Sequence, residues 1–405
     1  MTSRSLSTLV SGRIAATPGQ GGAAWAVLQY VVGLDRLGHR VDLVEVLRPD
    51  QLVPAGSTLV APTNTAYLAS AMESVGMGDR WAIGLAEGDL TGGEPAGGEL
   101  TGRALAGGAL VGPAADRVSR GRWDLLVNLS GCLDAPDLME RCEVRCFVDL
   151  DPGFTQVWEA QGVGGLGLDG HTHHATLGTS IGDPSCPVPT GGRPWIPMVP
   201  PVVLDSWPTG APVHLPAFTT VANWRSYGSA EWDGVSYGQR AHSFRGLVGL
   251  ASASPVALCP ALAIDPAETA DLRLLHDAGW HLLDPAHLAE TPDAYRDFVA
   301  GSMGELSVAK SGYVAGRSGW FSDRSACYLA SGRPVVAQDT GFSDHLPVGA
   351  GLLAYDDVDG AVDALTSVTA DYARHAEAAR DLAEEHFDSG RVLGGLLEAV
   401  SCVAG

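Results

Sequence analysis

The chain has 405 residues, 45% of them hydrophobic and 18% charged, with a formal net charge of -22. That length suffices for two domains with full cores, and the balance excludes a chain that is disordered throughout. The negative charge opposes phosphate backbones and acidic lipid surfaces, so nucleic acid is not an expected partner. A single anionic ligand is still admissible, because local cations and backbone N–H groups outweigh a salt-screened global charge at contact range. The seven cysteines are odd in number and include no Cys-x-x-Cys pair, which suggests neither a disulfide framework nor a zinc site. The first residues lack a signal-peptide-like apolar core, and no stretch of about 18 apolar residues occurs. A cytoplasmic protein without a membrane span is therefore expected.

In chain order, Arg13–Gly22 reads as a short first strand and a glycine loop. A helix over Trp25–Leu37 ends at Gly38-His39, and Arg40–Val46 forms the next strand. Apolar runs at Ser57–Ala61, Leu125–Leu129 and Arg145–Asp149 read as short buried strands separated by helical stretches. This alternation points to a parallel sheet with helices on both faces. Residues 86–122, rich in Gly, Ala, Glu and Leu, read as an irregular, mobile insertion with one helix. From Pro184 to Pro216 prolines crowd the chain and block helices and central strands, marking an interdomain linker.

A second alternating unit follows, with strands at Phe218–Asn223, Val256–Leu258 and Trp280–Leu283 and a helix near Gln239–Leu250. The segment Ser318–Phe342 reads as a polar loop, about three turns of helix, a Gly332-x-Pro334 break, a buried strand and a turn at Gly341. A polar loop entering a helix leaves backbone N–H groups and the positive dipole end facing one spot, which suits an anion such as a diphosphate. The same residues also fit an ordinary helix capped by Ser322 or Asp323. The last helical pattern, Tyr372–Val400, is interrupted at Ser389-Gly390.

The N-terminal strand, Gly-Gly loop, helix, Gly-His and strand, taken with the 318–342 segment, resemble nucleotide-sugar glycosyltransferases of the GT-B architecture. The resemblance spans most of the chain. It implies an α/β protein with two Rossmann-like domains facing a central cleft: 1–200 for the acceptor, 201–388 for the nucleotide sugar, and 389–405 as a helix able to cross back. It implies donor contacts from Trp320, Phe321, Ser322, Asp323, Arg324, Ser325, Thr340, Gly341 and Phe342. Trp224-Arg225 after the first strand of the second unit and Arg240 at the next helix start look like the cation pair that holds the diphosphate. They also fit two surface arginines. Lys310 meets a phosphate or ribose, or is a solvated lysine on a turn. The nucleotide base would rest near Trp280–Pro285.

Aligned on Gly332-x-Pro334, the His-x-Gly start of plant-type signatures falls at Gly319 and their Glu at Cys327. The paired glutamates of many retaining enzymes fall on the same two residues. Neither pattern is kept, so retaining or inverting stereochemistry is not assigned. An acceptor hydroxyl must lose a proton as it attacks, so a carboxylate or His is expected at the cleft. Asp149 and Asp151 follow a strand of a parallel sheet, where side chains reach the ligand crevice. They also fit caps on the Pro152-Gly153 turn. His171, His173 and His174 are candidates for a base or acceptor contact, or a metal cluster whose spacing is poor, and no metal is expected. Gly21 and Gly22 are assigned to the acceptor.

The expected reaction is sugar transfer from a nucleoside diphosphate sugar, the co-substrate, to a small-molecule acceptor such as a natural product, without a cofactor. The alternatives are another GT-B enzyme, an epimerase or a pyridoxal-type phosphorylase with Lys310 as its Schiff base, or an inert sugar-nucleotide-binding protein. A homodimer is compatible with the sequence.

Overall fold

A computed structural model describes residues 4–60, 62–86 and 110–402. Strands β1 (Ser7–Ser11), β2 (Arg40–Leu47), β3 (Trp81–Leu85), β4 (Trp123–Leu129), β5 (Cys142–Asp149), β6 (His173–Thr176) and β7 (Trp195–Pro197) form one parallel sheet in the order β3-β2-β1-β4-β5-β6-β7. Next come β8 (Leu215–Asn223), a hairpin of β9 (Ala230–Trp232) and β10 (Val235–Tyr237), β11 (Leu258–Ala263), β12 (Ser302–Ser307), β13 (Val335–Gln338) and β14 (Leu352–Tyr355). The second sheet is parallel too, in the order β11-β8-β12-β13-β14. Both faces of each sheet carry helices, which is why the strands read as nearly unbroken apolar runs. Strand order reverses between β1 and β4 and between β8 and β12, the places where such sheets bind ligands.

Several boundaries differ from the sequence reading. The first strand is Ser7–Ser11, upstream of Arg13–Gln20, which turns instead because the buried Glu45 carboxylate accepts the N–H groups of Ile14 at 2.5 Å and Ala15 at 2.8 Å. Residues 57–58 carry no regular structure and 59–60 form a turn, and Val60 is 86% exposed, so that apolar run is not a buried strand. Trp280–Leu283 contributes only a single bridge, Leu283 to Ala261. The helix after the polar loop, Asp323–Ala330, has eight residues, shorter than expected, because Gly332 and Pro334 follow at once. Of the 86–122 insertion, 87–109 lies outside the described residues, and Ala115–Arg120 is helical. The proline-rich stretch carries β7 at the sheet edge, where a strand proline costs no ladder bond.

The halves share one core. Helix Gly21–Arg36 of the first lies against helix Pro292–Gly301 of the second, with the Trp25 ring 5.0 Å from Trp207 at a tilt of 55° and its indole N–H donating to the Pro292 carbonyl at 2.8 Å. The last helix, Ser389–Cys402, lies against helix Gly21–Arg36, where a Cβ on Gly33 would come within 2.6 Å of Leu393. A separate cluster around Trp224, Phe244 and Trp280 fills one face of the second sheet.

Candidate active site

At the C-terminal end of β12 the chain leaves as Val308-Ala309-Lys310, and Lys310 begins the helix Ser311–Gly316. Its ammonium meets the Asp151 carboxylate at 2.8 Å, and Asp151 lies just past the end of β5 in the other half. Tyr227, past the end of β8, donates to the same carboxylate oxygen at 2.5 Å, and Tyr313 donates to it as well. The Lys310 ammonium also sits 3.9 Å from the Tyr227 ring centroid, with Phe154 and Tyr313 beyond it. Burial works against charge on Asp151, but Lys310 and the two hydroxyls outweigh it and hold the carboxyl below its usual range. Burial pulls the Lys310 amine down, partly offset by Asp151. Asp151 is thus held as a carboxylate, and a Schiff base on Lys310 would first have to break this network.

Arg240 opens the helix Arg240–Gly246 and reaches the Val308 carbonyl with one guanidinium nitrogen. Its Nε is buried without a hydrogen-bond partner, and burial, with Arg324 nearby, lowers it to about 10. Arg324 does not point at open solvent. It binds the Glu305 carboxylate, the Val221 carbonyl at 3.1 Å and Ser307 Oγ at 3.1 Å, all inside the second sheet. Burial opposes its charge, and Glu305 more than restores it. Arg240, Lys310 and Arg324 therefore converge between β8 and β12. Arg225 does not join them: it turns to Glu268 on the surface. Nor does Trp224, which is 1% exposed, donates to Asp271 at 2.9 Å and packs on Phe244.

The polar loop clasps the other half. Ser180 N–H donates to the Ser318 carbonyl at 3.0 Å, Trp320 bridges to Gly178, and Thr179 Oγ1 donates to the Gly319 carbonyl at 2.9 Å. Gly319 has φ +75°, and a Cβ there would overlap Thr179 and sit 2.7 Å from Ser180 Oγ, so glycine is required. Trp320 stacks on Tyr313 at 4.1 Å, while Phe321 packs against Phe342 and Phe387. Phe321 and Phe342 are thus core residues rather than donor contacts. Thr340 Oγ1 donates to the Trp320 carbonyl, and Gly341, at φ +93°, lets the following turn form. Ser322 holds the N-cap position without a side-chain cap bond, Asp323 is the first helical residue, and Ser325 is buried beside Ser307.

On the acceptor side the candidates separate. Asp149 is fully buried and accepts from Thr155 at 2.7 Å, Gln156 at 2.8 Å, Thr176 at 2.8 Å and the Asp151 N–H at 3.0 Å. Burial raises its carboxyl and those bonds lower it, and they leave it as the hub of the turn instead of a base. His173 and His174 begin β6, three and two residues before Thr176 at its crevice end, which places their backbone about 10 Å and about 7 Å from that end. His171 bonds Asn128 at 3.0 Å and lies against Phe147, and burial lowers it to about 4. Asn128 is next to last in β4, so the three histidines do not share one end of the sheet. Gly21 and Gly22 face Thr291 and Tyr295 of the second half, so they are packing residues. Among the described residues no group of three or more His, Cys, Asp or Glu is placed to hold a metal ion, and no helix is long and apolar enough to cross a membrane.

Tyr227, Tyr313 and Glu305 were not singled out from the sequence. Tyr227 follows β8, Glu305 lies inside β12 and Tyr313 in the short helix Ser311–Gly316, so no shared positional signal marks them.

No protein-family model and no curated protein sequence matches the chain. Among solved structures it resembles HepE of Anabaena in complex with UDP and glucose, with TM-score 0.54 and 11% identity over 98% of this chain and 100% of that one. It resembles the sucrose-phosphate synthase of Thermosynechococcus elongatus, with TM-score 0.51 and 11% identity over 98% of this chain and 99% of that one. It also resembles the pneumococcal O-GlcNAc transferase GtfA in complex with UDP and GlcNAc, with TM-score 0.50 and 8% identity over 99% and 100% of the two chains. At such identities the likeness is one of fold, and together with two parallel sheets, each reversing its strand order, it establishes that the chain has the GT-B architecture of these transferases.

Proposed function

We propose that the protein transfers a sugar from a nucleoside diphosphate sugar to a small-molecule hydroxyl, a natural product among the candidates. The observation that carries this reading is the buried Arg240, whose Nε lacks a partner, beside Lys310 at the point where the second sheet reverses its strand order. Two cations in that crevice suit the diphosphate that accumulates charge as the sugar leaves. Arg324 supports the same place from behind by fixing Glu305 and Ser307. Neighbours of the same fold crystallised with UDP agree with a uridine or related nucleotide as the ligand class.

Incubation with UDP-, dTDP-, GDP- and ADP-sugars and a panel of hydroxyl compounds should release one nucleoside diphosphate in step with a glycosylated product. Protein side chains supply the positive charge in this reading, so turnover should persist in excess EDTA. Loss on chelation with recovery on adding a divalent ion would refute the metal-free mechanism. Nucleotide binding without any turnover would favour an inert binding protein.

A further inference from the structure

A small cavity of about 60 Å³ lies between the halves. Leu150 and Leu177, just past the ends of β5 and β6, form its wall from the first sheet, helix Gly21–Arg36 contributes Gln29 and Tyr30, and Asp323 closes it from the start of the donor-loop helix. Tyr30 is 2% exposed, yet its hydroxyl has no hydrogen-bond partner. Gln29 is already committed, accepting the Val203 N–H at 2.7 Å. Asp323 is the only carboxylate on the lining. An apolar-walled space with a lone buried hydroxyl and one carboxylate is sized for a hydroxyl group or a few waters, which need such polar partners.

We propose that Asp323 is the general base of the transfer reaction, and that the Tyr30 hydroxyl orients the acceptor hydroxyl against it. The inference rests on the transferase reading above. The acceptor oxygen bonds to the anomeric carbon, its proton passes to the Asp323 carboxylate, and the bond from that carbon to the diphosphate oxygen breaks with its electron pair leaving on the diphosphate. With water as acceptor the products are free sugar and nucleoside diphosphate. Burial raises the Asp323 carboxyl above the ordinary range, tempered by Arg324, which favours proton uptake nearer neutrality. Favourable placement of an acid at a helix N-terminus is the competing role, and it requires no unpartnered Tyr30.

The test is slow hydrolysis of UDP-, dTDP-, GDP- and ADP-glucose by the full chain, followed by release of nucleoside diphosphate. Asp323→Asn should lower kcat by about 100-fold or more while nucleoside diphosphate affinity stays at the wild-type value. Tyr30→Phe should lower kcat/KM with Tm unchanged, because no bond made in the free protein is lost. Wild-type kcat in Asp323→Asn, or a drop in Tm for Tyr30→Phe without a kinetic effect, would overturn the proposal. So would a wild-type protein that binds a diphosphate but hydrolyses none of the four sugars. If Asp323→Asn does not fold, an acidic limb in the wild-type kcat profile above the usual Asp range supports the base, and a flat profile defeats it. Failure of every nucleoside diphosphate to bind would instead overturn the transferase reading itself.

Discussion

Arg324 shows how a residue's position can be legible while the partner of its side chain is not. Its position at the start of a helix near a strand end was legible, and the structure does bring it to Arg240 and Lys310. Its guanidinium nevertheless serves Glu305, which is completely buried. Removing the cation would strand that carboxylate, so Arg324→Ala should cost about 3–5 kcal/mol of stability, read as a fall in the urea midpoint, with or without nucleotide. An unchanged midpoint would mean that the pair is not structural. His171 gives a second test. Its imidazole is depressed to about 4 from an ordinary 6.5, so between those values the unfolded chain binds a proton that the native state refuses. Stability should fall as pH drops below about 6.5, and His171→Gln should flatten that slope. An identical slope in the variant would show the ring to be protonated in the fold.

At the scale of elements, the helix Gly21–Arg36 was legible from its apolar run and from Gly38, but its start came four residues earlier than read. The Gly21-Gly22 pair looked like a ligand loop. It is instead a close approach of one half to the other: Gly21 N–H donates to the Ala289 carbonyl at 2.6 Å, and a Cβ on Gly21 would overlap the Thr291 carbonyl oxygen. Sequence spacing cannot separate these readings, because both need a residue without a side chain. Alanine is the better helix former by up to about 1 kcal/mol, whereas overlap with a backbone atom costs about 1–3 kcal/mol. The clash should win, so Gly21→Ala should lower Tm. A neutral or raised Tm would show that the halves can shift apart there.

At the scale of the molecule, the two parallel sheets follow from alternation of apolar runs with glycine and proline breaks, whereas the return of the last helix and the meeting of strand ends were implied only by the resemblance to GT-B enzymes. The centre of the crevice was less legible. Asp151, Tyr227, Lys310 and Tyr313 come from segments separated by as many as 162 residues, and only the closed arrangement of the halves makes them neighbours. The same closure hides the Asp323–Tyr30 cavity, whose members read singly as a helix start and a core tyrosine. The proposed transfer depends on a nucleoside diphosphate lodging at Arg240 and Lys310. Calorimetric titration of UDP, dTDP, GDP and ADP into the wild type and Arg240→Met measures this directly. Saturable binding of at least one diphosphate, weakened at least about tenfold in the variant as a lost charge-assisted bond requires, is the expected result. No heat with any of the four, or equal affinity in the variant, would contradict it.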